Sequence, residues 1–193
     1  MRRDAAPDGG RAQPLTSYVS VEDVDTAAKR VTQHGGKVIV PPTDIPTVGR
    51  FALVADPEGS TFNLFKGETS DDTSQTEFHW NELYANDIAK VVPFYEKVIG
   101  WKSEKMDMGD QPYTIFKQGD QSVAGGMNKP DKSIPSMWLP YVKVENCDQT
   151  VARMQSRKAK VQVPAMDVEN VGRFAVLIDP KGAALGVIAP APR

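Results

Sequence analysis

The chain has 193 residues, of which 40% are hydrophobic and 25% charged, a composition typical of a folded protein with an apolar core. Its formal net charge of −2 excludes the broad basic surface that nucleic acids or anionic membranes require. The apolar runs are far shorter than the roughly 20 residues of a membrane helix, and no apolar signal core follows the N-terminus, so we predict a cytoplasmic protein. The single cysteine, Cys147, excludes an internal disulfide.

The first part of the chain predicts a tail followed by a strand, a helix and three strands. Residues 1–13 are rich in proline, glycine and charge without periodicity, which is typical of a flexible tail. Alternation predicts a strand from Tyr18, Asp23 is a favourable helix N-cap, and Gly35 follows the helix as a C-terminal signal. The remaining predictions are a strand over 37–40, a loop over 41–48, and strands over 50–55 and 61–65 joined by an Asp-Pro-Glu-Gly turn.

The same order of elements then returns. Residues 67–77 are polar and predict a linker. A strand is predicted over 78–85, Asp87 caps a helix that Gly100 ends, and three short strands follow. These three strands are predicted over 102–106, 113–117 and 122–127.

The two ends of the chain carry two copies of one sequence repeat. Residues 18–66 align without a gap onto residues 141–189 at a constant offset of 123, and 19 of the 49 positions are identical. Identities concentrate in Val-Gly-Arg-Phe-Ala and in Asp-Pro-x-Gly, where the backbone geometry is demanding. We therefore predict three βαβββ units, over 14–66, 78–130 and 136–189.

Short motifs in these units point to a fold family. The middle unit carries the helix cap Asp87, the pair Phe94-Tyr95 and the dipeptide Gly100-Trp101, and the outer units carry Asp-Pro-x-Gly. In this combination the chain resembles the vicinal oxygen chelate superfamily, which includes glyoxalase I, bleomycin-resistance proteins and extradiol dioxygenases. The resemblance implies an α+β fold of tandem βαβββ units, two of them paired into a curved mixed sheet that encloses a cleft. It divides the chain into a tail (1–13), an N-terminal half domain of one unit (14–66), a linker (67–77) and a two-unit glyoxalase-like domain (78–190).

The resemblance also implies which side chains face the cleft. The family's first metal-ligand position falls on Trp80, so strand alternation turns Trp80, Glu82 and Tyr84 inward, and the matching count in the last unit adds Leu139, Tyr141 and Lys143. Glu82 is the candidate catalytic residue. The candidate substrate-binding residues are Trp80, Tyr84, Tyr113, Trp138, Tyr141 and Lys143.

A metal site of the family type is not expected. The family's second ligand position, usually Glu, falls on Asn63 in the first unit and on Gly186 in the last, and the chain has only two histidines, His34 and His79. Divalent metals in this family need about four nitrogen or oxygen donors. We therefore predict no metal ligands and no cofactor.

Each candidate side chain also has a purely structural interpretation. Burial between Trp80 and Tyr84 would raise the pKa of Glu82 and make it a general base, but Glu82 could instead form an ion pair with Lys143. Tyr141 either binds substrate or fills space. Arg50 and Arg173 could each hold a loop in place or bind a ligand. Four more residues could form either an aromatic wall of the cleft or an ordinary core: Trp80, Met108, Tyr113 and Trp138.

Three functions fit this pattern. The leading hypothesis is a glyoxalase-like protein whose cleft binds a small, partly apolar organic molecule without a metal, with lyase, isomerase or hydroxylase chemistry if it is an enzyme. The second is a ligand-sequestering protein of the bleomycin-resistance kind, and the third is a metal-dependent glyoxalase or dioxygenase. Because the first unit has no partner unit in the chain, we also predict a homodimer that pairs the first units of two chains. A first unit that folds poorly is the alternative.

Overall fold

A computed structural model describes residues 15–68, 78–107 and 112–191. The predicted tail, most of the predicted linker and Met108 lie outside these ranges. The described chain contains twelve strands and three helices in an α+β arrangement. One compact unit comprises residues 16–142, and residues 143–191 belong to a second.

The N-terminal βαβββ unit forms a four-stranded mixed sheet. Its elements are β1 (Tyr18–Ser20), α1 (Val24–Gln33), β2 (Lys37–Ile45), β3 (Gly49–Ala55) and β4 (Thr61–Gly67). The strand order is β1-β4-β3-β2, with β1 parallel to β4 and the other pairs antiparallel. Asp23 caps α1 as predicted, because its carboxylate accepts the N–H of Thr26 at 2.6 Å.

The middle unit repeats this topology and is joined by one more strand. Its elements are β5 (Phe78–Ala85), α2 (Ile88–Val98), β6 (Lys102–Asp107), β7 (Pro112–Gln118) and β8 (Gln121–Asn128). The strand order is β6-β7-β8-β5, with β5 parallel to β8. The next strand, β9 (Met137–Lys143), pairs antiparallel with β5 and sets Leu139 opposite Glu82.

The last unit continues with a helix and three antiparallel strands. Its elements after β9 are α3 (Cys147–Ser156), β10 (Lys160–Val168), β11 (Gly172–Ile178) and β12 (Ala184–Pro190). The pairings are β10 with β11 and β11 with β12. A small core lies under α3 and contains Cys147, Ala175, Leu177 and Val187. The βαβββ order predicted for all three units is therefore confirmed.

Residues 16–142 share one hydrophobic core. Apolar residues of α1, β3 and β4 pack with apolar residues of α2, β5 and β7 in a single cluster. Its fully or almost fully buried members include Val31, Phe62, Leu64, Leu83, Phe94, Tyr95 and Phe116. The N-terminal unit thus packs its helix side against the middle unit. No helix in the described ranges combines the length and the apolar character that crossing a membrane would need.

One predicted loop is a strand. Residues 41–45 continue β2 and pair with β3, where Thr43 lies opposite Phe51 and Asp44 opposite Arg50. The expectation of a loop rested on Pro41-Pro42, which cannot donate ladder hydrogen bonds. However, β2 is the edge strand of its sheet, where proline is tolerated, and the register shifts at this point.

The two copies of the repeat contain the same triad of charged side chains, one arginine and two aspartates. Arg50 donates from Nε and Nη2 to Asp25 at 2.7 and 3.0 Å and from Nη1 to Asp44 at 2.7 Å. The equivalent groups 123 residues later do the same, with Arg173 bonded to Asp148 and Asp167. The bidentate geometry ties the first turn of the helix to the edge strand. Both arginines therefore have the fold-supporting role.

Candidate functional site

Alternation along β5 divides its side chains between two faces of the sheet. Leu83 and Ala85 are fully buried in the core beneath the helices. Trp80, Glu82 and Tyr84 occupy the alternate positions along the strand and lie on the other face, as predicted. Pairing with β9 sets Tyr141 opposite Trp80 on that face.

Glu82 lies at the centre of a hydrogen-bonded cluster. Tyr113 donates its hydroxyl to Oε1 of Glu82 at 2.8 Å, and Tyr141 donates to Oε2 at 3.1 Å. The indole Nε1 of Trp80 donates to the Tyr113 hydroxyl at 3.0 Å. Only 9% of Glu82 is exposed to solvent. The β5, β7 and β9 strands thus bring together four of the predicted residues around one carboxylate, and we call this set the Glu82 cluster (Trp80, Glu82, Tyr84, Tyr113 and Tyr141).

A glycine on the neighbouring strand makes room for this cluster. Gly125 of β8 pairs with Glu82, and a Cβ atom there would lie 1.9 Å from the Tyr113 hydroxyl oxygen and 2.9 Å from Trp80 Nε1. Any other residue would therefore push Tyr113 away from the carboxylate. Sequence reasoning did not include Gly125, although a Gly-Gly pair inside a predicted strand is a known signal of close approach.

Burial controls the protonation of the cluster. Desolvation raises the pKa of Glu82, and hydrogen bonds from Tyr113, Tyr141 and Tyr84 offset only part of that increase. Desolvation and the nearby Glu82 charge raise the pKa of all three tyrosines as well. The hydroxyls therefore keep their protons, and the carboxyl of Glu82 keeps its proton to a higher pH than an exposed glutamate does. Such a group can act as a general acid or base.

The predicted ion pair between Glu82 and Lys143 is not formed. Lys143 is exposed, and the salt bridges within the described ranges include neither residue. Tyrosine hydroxyls take both carboxylate oxygens instead.

Trp138 belongs to the core and not to the Glu82 cluster. It pairs with Leu83, on the helix side of the sheet, and is 5% exposed. Its Nε1 donates to the Tyr95 hydroxyl at 3.0 Å, and Tyr95 donates to Asp56 at 2.8 Å. The predicted aromatic wall is thus divided, because Trp138 and Trp80 occupy opposite faces and Met108 lies outside the described residues.

The residues around Glu82 do not fit a divalent metal. Both oxygens of Glu82 already accept hydrogen bonds, and its neighbours on the sheet face are aromatic. Asn63 donates its amide to Thr16, and both histidines are exposed. Within the described ranges, no three His, Cys, Asp or Glu side chains converge on one point.

The lone cysteine has a structural position. Cys147 begins α3 and is 2% exposed. Burial raises the pKa of its thiol, which keeps it protonated and poorly nucleophilic.

Comparison with known proteins identifies the family. Residues 3–64 and 77–187 match the model of the Glyoxalase/Bleomycin resistance protein/Dioxygenase superfamily. The chain belongs to this superfamily. The resemblance inferred from Asp87, the Phe94-Tyr95 pair and the Asp-Pro-x-Gly turns is therefore confirmed.

Relatives within the superfamily have several names. "Putative glyoxylase CFP32" of Mycobacterium tuberculosis is 35% identical over 195 residues, which cover 97% of this chain and 74% of that protein. "Anthracycline biosynthesis protein DnrV" of Streptomyces peucetius is 29% identical over 178 residues, which cover 90% of this chain and 64% of that protein. This chain thus spans about three quarters of the former relative and less than two thirds of the latter.

Solved structures of the superfamily share the fold at low identity. The Mn(II)-bound glyoxalase of Novosphingobium aromaticivorans aligns with a TM-score of 0.59 at 16% identity, covering 89% of this chain and 61% of that one. The 2,2',3-trihydroxybiphenyl 1,2-dioxygenase of Sphingomonas wittichii aligns with a TM-score of 0.58 at 14% identity, covering 93% of this chain and 72% of that one. These similarities establish the α+β fold of βαβββ units.

Proposed function

We propose that the sheet face around Glu82 binds a small, partly aromatic organic molecule and exchanges a proton with it without a metal ion. The observation that carries the proposal is the Glu82 cluster itself: a buried carboxyl with a raised pKa, held by two tyrosine hydroxyls. A buried carboxylate with a purely structural role would be expected to fix backbone groups or to have a cationic partner. The cluster supplies only neutral donors, so its charge remains available to react.

The reaction type that suits this arrangement is proton abstraction next to a carbonyl group. The Glu82 carboxylate accepts the proton as the C–H bond breaks, and the electron pair moves onto the carbonyl oxygen to form an enolate. Tyr113 or Tyr141 turns its hydroxyl proton from Glu82 to that oxygen and donates a hydrogen bond there. If a carbon–carbon double bond is conjugated with the enolate, return of the proton from Glu82 to the γ-carbon of this dienolate completes an isomerisation. If the β-carbon carries a leaving group instead, its departure with the electron pair completes a lyase reaction, and Glu82 then releases its proton to solvent.

The aromatic surroundings favour a flat ligand. Trp80, Tyr84, Tyr113 and Tyr141 contribute rings with polar edges, which bind aromatic molecules by stacking and edge contacts. Two Streptomyces relatives are named for anthracycline biosynthesis, at 29% and 31% identity. Both observations support a polycyclic aromatic ketone as the first ligand class to test.

The test compares Glu82→Gln with the wild-type protein over a panel of aromatic ketones. We expect turnover, measured as proton exchange into deuterated water, to fall by about 100-fold or more. Glu22→Gln, at an exposed position, is the matched control and should leave turnover unchanged. Unchanged turnover in Glu82→Gln would remove Glu82 from the mechanism, and stoichiometric metal in the active protein would refute metal independence.

A sequestering function of the bleomycin-resistance kind is the second candidate. The favouring observation is that a single carboxylate lies among aromatic rings, which suits a cationic aromatic ligand. Under this proposal, Glu82→Gln weakens the binding of a cationic ligand, while the wild-type protein releases every ligand chemically unchanged. Recovering each ligand from the mixture and analysing it by mass spectrometry separates the two functions.

We also propose that two chains pair through their N-terminal units. The helix side of the β1–β4 sheet is covered by the middle unit, while on the other side Tyr18 remains 59% exposed beside Phe65. Exposed aromatic residues on a sheet face are typical of an interface. Analytical ultracentrifugation should give a dimer that Tyr18→Asp weakens, and a monomer at micromolar concentration would contradict this proposal.

A further inference from the structure

A pocket lies on the face of β5 that is opposite Glu82. Its volume is about 190 Å³, and it opens between β1 of the N-terminal unit and the strands of the middle unit. Its wall includes Ser17, Phe62, Asn81, Trp101, Gln118 and Trp138. Asn81 alternates with Glu82 along β5 and therefore points to the opposite side of the sheet. We call this space the Trp101 pocket.

The wall of the Trp101 pocket is aromatic and uncharged. Trp101 and Trp138 meet edge to face, with ring centroids 6.3 Å apart and planes at 82°. Among the described residues, those that line the pocket include no Asp, Glu, Lys or Arg. A charged ligand would therefore lose hydration without gaining an ionic partner, whereas a neutral aromatic ring would be accommodated.

Two hydrogen-bond donors remain available in this pocket. The Trp138 indole N–H is bonded to Tyr95, but the Trp101 N–H makes no hydrogen bond within the described parts of the chain. Asn81 uses its amide oxygen to accept from Ser17 at 2.6 Å, which leaves its NH₂ group for a ligand. A ligand that supplies an acceptor can therefore form a hydrogen bond with either donor.

The volume sets the size of the ligand. An apolar cavity of about 150 Å³ accommodates benzene. A pocket of about 190 Å³ has room for one ring and a small substituent. We infer that the Trp101 pocket is a second binding site, independent of the Glu82 cluster, for a neutral single-ring aromatic compound that carries a carbonyl acceptor.

Benzamide is a suitable probe, and nuclear magnetic resonance can locate it. The chain has three tryptophans, so a ¹⁵N-labelled sample gives three side-chain N–H signals, and Trp101→Phe identifies that of Trp101. We expect benzamide to shift the Trp101 signal with a Kd of about 1 mM, the range for a fragment of this size. The Trp80 signal, which reports on the Glu82 cluster, should not move.

Three comparisons test the assignment. Benzoate, which has the same shape but a negative charge, should bind at least about 10-fold more weakly than benzamide. Gln118→Trp, at an exposed pocket-lining position that shares its strand face with the core residue Phe116, should obstruct the pocket and abolish the shift. Cyclohexanecarboxamide, which keeps the amide but lacks the aromatic ring, should bind more weakly than benzamide.

Several results would overturn the inference. They are the absence of any shift at 10-fold above the expected Kd, a shift confined to Trp80, and equal binding of benzoate and benzamide. Wild-type affinity in Gln118→Trp would also count against this location. None of these results bears on proton exchange at Glu82, so the two proposals fail separately.

Discussion

Two buried carboxylates in residues 16–142 accept hydrogen bonds from tyrosine hydroxyls, yet their surroundings differ. Asp56, in the turn between β3 and β4, accepts from Tyr95 and also from the backbone N–H groups of Glu58 and Ser60, each at 2.9 Å. Glu82, in the middle of β5, accepts from tyrosine side chains. Burial raises the pKa of both carboxyls.

We propose that this difference separates a structural carboxylate, Asp56, from a reactive one, Glu82. Asp56 fixes the backbone of its own turn and links that turn to α2 through Tyr95, so its bonds are part of the fold. Glu82 holds no backbone group, and its partners are side chains that can turn toward a ligand. Similar burial and a similar pKa shift therefore do not indicate a similar role, and the partner groups decide between them.

The largest effect is expected for Asp56→Ala. This change leaves the Tyr95 hydroxyl and two turn N–H groups buried without their acceptor, so the free energy of unfolding should fall by about 3 kcal/mol. The control is Asp179→Ala in the second copy of the turn, where the carboxylate accepts from Lys181 and Ala183. We expect a loss of about 1 kcal/mol there. Urea denaturation measures both, and equal losses would contradict the special role of Asp56.

Glu82→Gln should have a smaller effect, of opposite sign. The amide can keep hydrogen bonds with Tyr113 and Tyr141 but carries no charge, so the unfavourable burial of a carboxylate is removed. At pH 8 we expect the free energy of unfolding to rise by about 1 kcal/mol. A loss of several kcal/mol would show instead that Glu82 is a structural residue like Asp56.

The stability difference between Glu82→Gln and the wild-type protein should depend on pH. Because the pKa of Glu82 is raised in the folded state, its favourable contribution is complete below the unfolded value of about 4.3. That contribution is lost as pH rises through the folded pKa. The advantage of Glu82→Gln should therefore be smallest near pH 4 and grow toward pH 8. Urea denaturation across this range tests the sign, and a constant difference would contradict it.

The smallest effects concern the ion triads of the repeat. Arg50→Lys and Arg173→Lys replace a bidentate guanidinium by a single ammonium at side chains that are about one third exposed. Each should lower the midpoint of thermal unfolding by about 2 °C or less, because solvent screens both sites. Thermal denaturation of the two variants should give similar shifts. A much larger loss at either position would show that its triad does more than anchor a loop.

The sequence supported some predictions of the site and not others. Alternation from Trp80 placed Glu82 and Tyr84 on one face of β5 because the strand is regular there. It could not decide between an ion pair with Lys143 and catalysis for Glu82, and it could not distinguish an aromatic wall from a core for Trp138. The position of Gly125 opposite Glu82 depends on how β8 pairs with β5, which no local pattern specifies.

The sequence by itself determined the repeat, the βαβββ order and the residues that each strand turns to either side, because these depend on periodicity within a short segment. Only the tertiary structure decided which hydroxyls reach Glu82, that Asp56 binds Tyr95, and that Trp101 lines a pocket. These contacts join residues 31 to 64 positions apart through strand pairing and helix packing. Their chemistry arises from burial and distance, which exist only in the folded chain.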